Sequence, residues 1–214
     1  QEKVPSNIDG QVVEDVIIET KVGEQYITQE AENVLKSYKL DSVVGEKQGI
    51  TTKETSEVIY YYKQLVIQEP VISKTAEWVD VEKGIGKIKI DIEVTGEEDE
   101  VGKDAVISDI ISQYFNYYED ATYKPSTAIS TKTKENGNDK IIWNKGTLEK
   151  GNIHYEFYIK IKDEYKGGTY PTNTEAKLSY TDIFGEPNEI IAEVPELSRL
   201  FVHYYINLDQ KLAI

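Results

Sequence analysis

The amino-acid sequence predicts a mainly β protein, and three observations support this prediction. Residues 174–182 alternate apolar and polar side chains with a period of two, as a half-buried strand does. Residues 57–66 are rich in the side chains that favour strands. In the second half of the chain, short alternating segments are separated by turn sequences such as 136–139 and 150–152, a spacing typical of an immunoglobulin-like β-sandwich.

Composition excludes several classes of function. The net charge of −15 over 214 residues disfavours nucleic acid and anionic lipid as partners. The absence of cysteine excludes disulfides, thiol catalysis and cysteine-ligated metals. No apolar run is long enough to span a membrane, and no signal-peptide pattern is present. Because the chain starts at Gln1 and contains no Met, we expect it to be a piece of a longer protein.

The first module is predicted over residues 1–67. Its expected elements are a strand at 9–20, a short helix at 29–38, an extended segment at 38–45 and a strand at 57–66. In the last strand, Val58, Tyr60 and Tyr62 share one face, while Ile59 and Tyr61 share the other. This pattern favours core packing of the tyrosine run over a glycan-stacking platform.

Four short motifs in this module carry a family resemblance. They are Asp9-Gly10, Lys-Val-Gly-Glu-Gln-Tyr at 21–26, Tyr-Lys-Leu-Asp-Ser-Val-Val-Gly at 38–45, and Val-Ile-Tyr-Tyr-Tyr at 58–62. Together they resemble the MucBP-type repeat of Gram-positive surface proteins over residues 7–66. The resemblance implies a small β-grasp-like module used as a spacer or adhesion unit. Such repeats usually begin with a strand of V-x-V-x-Y type, which residues 1–6 are not expected to supply.

The second module is predicted over residues 71–195, after a short linker at 68–70. Its expected strands are 71–79, 87–94, 105–111, 113–118, 128–132, 140–144, 153–162 and 174–182. The acidic residues 97–100 and Asp104 lack the spaced carboxylates of a calcium loop, so they predict a solvated loop and no metal site.

Two charged side chains fall within the apolar rows of predicted strands. Lys74 shares a face with Ile72, Ala76 and Trp78, and Asp109 lies between Ile107 and Ile111. An unpaired charge in an apolar row is costly, so the lysine must reach solvent, pair, or lose its charge. On this evidence alone, an ordinary Lys74–Asp109 ion pair is an open alternative.

Landmarks around these residues resemble a second family. They are Lys74-Thr75-Ala76, the segment 109–115, the segment 142–148, and Tyr170-Pro171-Thr172-Asn173 through 180–182. They are similar to DUF11 and collagen-adhesin (CnaA-like) sandwich modules of clostridial and other Firmicute surface proteins.

Members of that second family often form a Lys–Asn isopeptide bond aided by an Asp. The resemblance implies Lys74 as nucleophile, Asp109 as acid and base, and Asn173 as electrophile, without a cofactor. In that scheme a protonated Asp109 hydrogen-bonds the carboxamide oxygen, stabilises charge in the tetrahedral intermediate and relays the proton. Strict alternation places Asn173 on the wrong face, so a bulge near Pro171 is required. Asn144 and Asn188 are alternative acceptors.

Turnover of an external substrate is not expected. Alternation places His154 on a polar face with Glu156 and Lys160, and the other histidine is His203. No Ser/His/Asp set, phosphate-binding glycine loop or His-x-x-x-His spacing is present.

Residues 199–214 predict the start of a further MucBP-like repeat, because 207–213 parallel 7–13. The aromatic segment 201–205 is an alternating strand without a module of its own. We expect it to be exchanged into the first module of a neighbouring molecule, giving head-to-tail self-association, or else to be disordered.

The sequence therefore predicts a stalk or adhesin segment of a cell-wall-attached, extracellular protein. The alternative is a module that itself binds a host glycan or matrix protein. Neither reading involves nucleic acid or membrane insertion of this segment.

Overall fold

The computed structural model describes residues 2–3, 18–31, 34, 37–54, 56–96, 100–165 and 167–200. The chain divides into two compact units, the first ending at Ile67 and the second beginning at Gln68. Throughout the described residues the regular elements are β-strands and there is no helix, so the prediction of a mainly β protein is confirmed.

The first unit contains a three-stranded sheet and a separate pair of strands. Its strands are β1 (Glu2–Lys3), β2 (Gln25–Ile27), β3 (Tyr38–Val44), β4 (Gln48–Ile50) and β5 (Ile59–Gln64). The strand β5 lies in the centre of the sheet, parallel to β1 and antiparallel to β3. The strands β2 and β4 pair antiparallel.

The tyrosine run of β5 packs as predicted. Tyr60 and Tyr62 are buried with Val58 and Tyr38, whereas Tyr61 is 45% exposed. The hydroxyl of Tyr60 lies 2.7 Å from the Thr28 hydroxyl, and that of Tyr62 accepts a 2.9 Å hydrogen bond from the Ala31 N–H. Because their hydroxyls are also bonded, these rings are satisfied core residues.

Three expectations for the first unit are corrected by the structure or concern residues outside the described part of the chain. Residues 1–6 do supply a short leading strand, because Glu2 and Lys3 pair with Tyr60 and Tyr61 of β5. The side-chain pattern did not predict this strand, because a two-residue ladder needs only backbone N–H and C=O groups. In the predicted helix, residues 29–31 and 34 are not helical, and Tyr38 begins β3. Residues 32, 33, 35 and 36 of that segment, and residues 9–17 of the predicted first strand, lie outside the described residues, while 18–20 are not in a strand.

The second unit is a sandwich of two antiparallel sheets. Its strands are β6 (Val71–Asp80), β7 (Ile85–Val94), β8 (Glu100–Ile111), β9 (Phe115–Tyr118), β10 (Thr131–Glu135), β11 (Asn138–Glu149), β12 (Gly151–Ile161), β13 (Gly168–Pro171), β14 (Asn173–Asp182), β15 (Pro187–Ile191) and β16 (Glu196–Arg199). One sheet has the order β10-β11-β8-β14-β15 and the other β6-β7-β12-β9, while β13 pairs with β16.

The sandwich core lies between these two sheets. Burial alternates over much of β7, β12 and β14, whereas the central strand β8 is buried continuously from Ile107 to Ile111. The inward-facing side chains of these four strands form one buried cluster with Trp143 of β11. On β14 the predicted row Ala176, Leu178 and Tyr180 is buried. Each buried isoleucine or leucine in such a core stabilises the fold by roughly 1.5–3 kcal/mol.

The hairpin between β10 and β11 contains one of the turns that the sequence predicted, and its backbone conformation explains the residues found there. Asn136 and Gly137 connect the strands with φ values of 50° and 85°. Positive φ at both central residues matches the right-handed twist of a two-residue hairpin, and Asn-Gly tolerates it best. The strand boundaries differ from the predicted ones: β11 extends from Asn138 to Glu149 rather than over 140–144, and β10 lies at Thr131–Glu135 rather than at 128–132.

Candidate crosslink site

Lys74 projects into the sandwich from an edge strand. Along β6, burial alternates, and Lys74 follows Ile72 on the inner face, opposite Ile90 of β7. Its side chain is 0% exposed, so the ammonium does not reach solvent. The Nζ atom lies 5.8 Å from the centroid of the Phe157 ring.

Asp109 enters the same core from the centre of the other sheet. Its strand β8 lies between β11 and β14, where Asp109 pairs with Ile141 and Ala176. The residue is 0% exposed. Lys74 Nζ donates a hydrogen bond to Asp109 Oδ2, so the two residues that the sequence placed on apolar rows meet inside the protein.

Asn173 reaches the core through an irregularity in β14. Asn173 is opposite Ile111 of β8, and Ala176 is opposite Asp109, so three steps on β14 match two on β8. This bulge places Asn173 on the buried side together with Ala176, although strict alternation would separate them. Asn173 is 2% exposed. The irregularity that the proposed acceptor required is therefore present.

Two polar atoms of this cluster are buried without a hydrogen-bond partner among the described residues. They are Asp109 Oδ1 and Asn173 Nδ2. The carboxamide oxygen Asn173 Oδ1 accepts a 3.3 Å hydrogen bond from the Thr172 hydroxyl. Unsatisfied buried polar atoms cost free energy and often mark reactive positions.

Burial changes the protonation of the charged pair. Desolvation lowers the pKa of Lys74, and this effect exceeds the opposing attraction of Asp109. Desolvation likewise raises the pKa of Asp109, against the attraction of Lys74. Both directions favour a neutral amine beside a neutral carboxylic acid. A neutral amine has the lone pair that nucleophilic attack requires.

The alternative acceptors lie elsewhere. Asn144 is exposed, with its backbone N–H bonded to the Ser130 hydroxyl. Asn188 is on β15 and donates to Asp182 Oδ2 and Glu186 O at 3.2 and 3.0 Å. Neither side chain belongs to the buried polar set, whereas Asn173 does.

Sequence reasoning missed the buried hydroxyls beside the acceptor. Thr172 and Ser112 are both buried. Ser112 Oγ donates a 2.5 Å hydrogen bond to Pro171 O. The only signal in the sequence was adjacency, because Thr172 immediately precedes Asn173 in a strand that was already expected to be irregular.

His154 forms a surface contact away from the crosslink site. His154 is exposed as predicted, with Nδ1 2.6 Å from Asp91 Oδ1 and Nε2 3.3 Å from Glu156 Oε1. Within the described ranges, no group of three or more His, Asp or Glu side chains is arranged to hold a metal ion. No helix of the described chain has the length and apolarity to cross a membrane. His203 and residues 97–99 of the acidic loop lie outside the described residues.

Two protein families match parts of this chain. Residues 6–63 match the MucBP domain, and residues 101–198 match the Tip pilin GBS104-like, Ig-like domain. The second match contains Asp109, Thr172 and Asn173 but begins after Lys74. No curated protein matches the chain. The chain therefore combines a first unit similar to the MucBP domain with an immunoglobulin-like sandwich similar to that of tip pilins.

Several solved structures are similar to parts of this chain at low sequence identity. The RrgA Jo.In complex is 10% identical, covers 60% of this chain and 79% of its own, and has a TM-score of 0.43. BcpA, the major pilin subunit of Bacillus cereus, is 13% identical with 79% and 53% covered and a TM-score of 0.40. The major pilin SpaD of Corynebacterium diphtheriae is 9% identical with 82% and 47% covered and a TM-score of 0.43. This chain thus spans about half the length of either major pilin.

Proposed function

We propose that the chain is a structural segment of a stalk or adhesin displayed on a Gram-positive cell surface. Its sandwich carries a self-formed isopeptide bond between Lys74 and Asn173. The observation that supports this most is the buried Lys74–Asp109 pair, with Asn173 buried on the strand beside Asp109. The same proposal includes three further properties of the chain: that its sandwich is related to the DUF11 and CnaA-like modules of Firmicute surface proteins, that it is secreted, and that it is attached to the cell wall.

The proposed reaction is a single acyl transfer. The neutral Lys74 Nζ attacks Asn173 Cγ, and the electron pair of the C=O bond moves to Oδ1. When the C=O bond reforms, the Cγ–Nδ2 bond breaks. One proton moves from Nζ to Nδ2 through Asp109, and ammonia leaves. The product is an amide that joins β6 to β14, and neither a metal nor a cofactor takes part.

Such a bond suits a segment that bears tension. It joins β6, the first strand of the sandwich, to the start of β14, one of the last strands of the sandwich. Force applied through the two ends of the second unit then passes through the amide and bypasses the intervening strands. The chain has no disulfide to serve this purpose, since it contains no cysteine.

Single-molecule force extension of the full chain tests the role directly. Between Lys74 and Asn173 lie about 100 residues, which would add roughly 33–36 nm of contour length if released. The wild type is expected to lack this increment and the Lys74→Ala variant to show it. Equal extension of both proteins would contradict the proposal that force passes through an amide between Lys74 and Asn173.

The alternative function is binding by the first unit. The MucBP match over 6–63 is the observation that favours it. Of the three consecutive tyrosines, Tyr61 is the one left exposed for a ligand. A glycan array and a matrix-protein pull-down with the full chain separate the two readings. Saturable, specific binding lost in Tyr61→Ala would establish the binding role; its absence favours the stalk.

Head-to-tail self-association through 201–205 stays a prediction from sequence. These residues lie outside the described part of the chain. The edge of β5 to which they would add carries Glu2 and Lys3 in this structure, so an exchanged strand would have to displace them or extend beyond them. Sedimentation of the full chain against a version ending at Leu197 tests it, and identical monomeric behaviour at high concentration would rule it out.

A further inference from the structure

Thr172 is held rigidly between two strands at the acceptor. It follows β13 and precedes β14, and it is 1% exposed. Its N–H donates to Pro195 O at 3.0 Å, and its C=O accepts from the Ser112 N–H at 3.1 Å. Both backbone groups are therefore fixed, and they determine where the side chain points.

The Thr172 hydroxyl has two acceptors within reach. Oγ1 lies 2.9 Å from Pro195 O and 3.3 Å from Asn173 Oδ1. A hydroxyl has one hydrogen, so it cannot donate fully to both. Pro195 O already accepts the Thr172 N–H, whereas Asn173 Oδ1 has no other partner among the described residues.

We propose that Thr172 is a catalytic residue of the crosslinking reaction, with its hydroxyl stabilising the oxyanion that forms on Asn173 Oδ1. This inference rests on the proposed isopeptide function. It differs from the expectation drawn from the sequence, in which a protonated Asp109 was to bond the carboxamide oxygen. In the structure Asp109 Oδ2 contacts Lys74, and the carboxamide oxygen is bonded by Thr172.

The two roles are thereby divided between two side chains. Asp109 Oδ1 and Asn173 Nδ2 are both buried without a hydrogen-bond partner among the described residues, so neither atom is engaged by another group there when the proton passes from the carboxyl to the leaving nitrogen. As Nζ bonds to Cγ, the C=O electron pair moves to Oδ1 and the Thr172 O–H turns toward it. As Nδ2 departs with the proton relayed from Nζ, that electron pair returns to Cγ.

The hydroxyl acts mainly in the transition state. At 3.3 Å its bond to the neutral carboxamide oxygen is long, and Pro195 O at 2.9 Å competes. Once Oδ1 carries negative charge, the hydrogen bond to it becomes charge-assisted and roughly twice as strong. A donor that binds the developing charge more strongly than the ground state lowers the barrier.

The test follows the rate of ammonia loss in newly made full-length chains. Protein is synthesised in a cell-free system, folding is started, and samples quenched over time are analysed by intact mass. Thr172→Val keeps the side-chain shape but removes the hydroxyl, Thr172→Ala removes it without added bulk, and Thr172→Ser retains it. We expect Val and Ala to slow the reaction by roughly 10²- to 10³-fold, as loss of one oxyanion donor does, and Ser to stay within a few-fold of wild type.

A pH profile separates this role from a structural one. The pH dependence belongs to the Lys74–Asp109 pair, so Thr172→Val is expected to lower the rate at every pH without moving the midpoints. Thermal unfolding of Lys74→Ala with and without Thr172→Val gives the structural cost in chains that cannot crosslink. Shifted midpoints, or a Ser variant as slow as Val, would overturn the oxyanion role.

The two proposals fail in different ways. A wild-type chain that never loses ammonia would overturn the crosslink and, with it, any role of Thr172 in forming it. A wild-type chain that reacts while Thr172→Val and Thr172→Ala react equally fast would overturn the Thr172 proposal alone.

Discussion

Lys74 and Asp109 contact each other across the two sheets of the sandwich, the lysine from edge strand β6 and the aspartate from central strand β8. A buried acid–base pair of this kind is a weak source of stability, because the cost of removing both groups from water offsets their attraction. Apolar residues of similar volume would serve the fold as well. We therefore infer that the pair is kept for its chemistry, and the predictions below follow from that inference.

Asp109→Ala is expected to abolish crosslinking and to destabilise the second unit. The change leaves the neutral Lys74 amine buried without its hydrogen-bond partner, and an unsatisfied buried polar group typically costs about 1–3 kcal/mol. The reference is Asn173→Ala, which also cannot crosslink but keeps the pair. Chemical unfolding followed by the fluorescence of Trp78 and Trp143 reports on this unit, because the chain has no other tryptophan.

Lys177→Ala supplies the matched control for that experiment. Lys177 is also a strand lysine paired with a carboxylate, Glu189 at 3.1 Å, but both side chains are partly exposed. Pairs in that setting contribute up to about 1 kcal/mol. If Asp109→Ala costs no more than Lys177→Ala, the Lys74–Asp109 pair is not buried as described.

The rate of crosslinking is expected to follow a bell-shaped pH profile. At low pH the Lys74 amine is protonated and cannot attack; its lowered pKa moves this limit below the ordinary lysine range. At high pH Asp109 loses its proton, and its raised pKa moves that limit above the ordinary aspartate range. Both limits belong to the coupled pair. A rate that increased steadily up to the usual lysine pKa would contradict the neutral-pair interpretation.

The first unit provides a prediction from neighbouring tyrosines. Tyr60→Ala removes a buried ring and its hydroxyl contact with Thr28, so it is expected to cost about 3–5 kcal/mol. Tyr61→Ala changes an exposed side chain and is expected to stay within about 0.5 kcal/mol of wild type. Amide hydrogen exchange of β3 and β5 monitors this unit. Equal effects of the two changes would contradict the assigned faces of β5.

His154 gives a pH-dependent surface contact. Its hydrogen bond with Asp91, aided by Glu156, raises the pKa of the imidazole above its ordinary value of 6.5. Because the folded-state pKa is raised, the stabilisation is fully present below the unfolded-state value and is lost as pH rises through the folded-state value. It is small, since both side chains are solvent-exposed. NMR titration is expected to show Asp91→Asn lowering the His154 pKa; an unchanged value would contradict the contact.

Much of the sandwich was predictable from local pattern. The strand faces of β6, β8 and β14 follow directly from alternation, and burial of Lys74 and Asp109 follows from the apolar rows that contain them. Alternation works here because inward and outward positions differ so strongly in free energy that the register cannot slip.

Other features depend on three-dimensional context that alternation does not contain. The bulge between Asn173 and Glu175 had to be assumed to bring the acceptor inward, and the hydrogen bond from Thr172 was not foreseen. Both occur just before and at the start of β14, where Ser112 and Pro195 form hydrogen bonds with the backbone of Thr172. The short strand β1 was not predicted either, because a pairing of two residues is too short to show an alternating side-chain pattern.

The most direct test of the central claim is the intact mass of the purified, folded chain. An isopeptide bond between Lys74 and Asn173 removes one ammonia, so the account predicts a mass ~17 Da below the value calculated from the sequence. Lys74→Ala and Asn173→Ala are each expected to restore the calculated mass, and a peptide linking β6 to β14 should appear after digestion of the wild type. A folded wild-type chain with the full calculated mass would contradict the account.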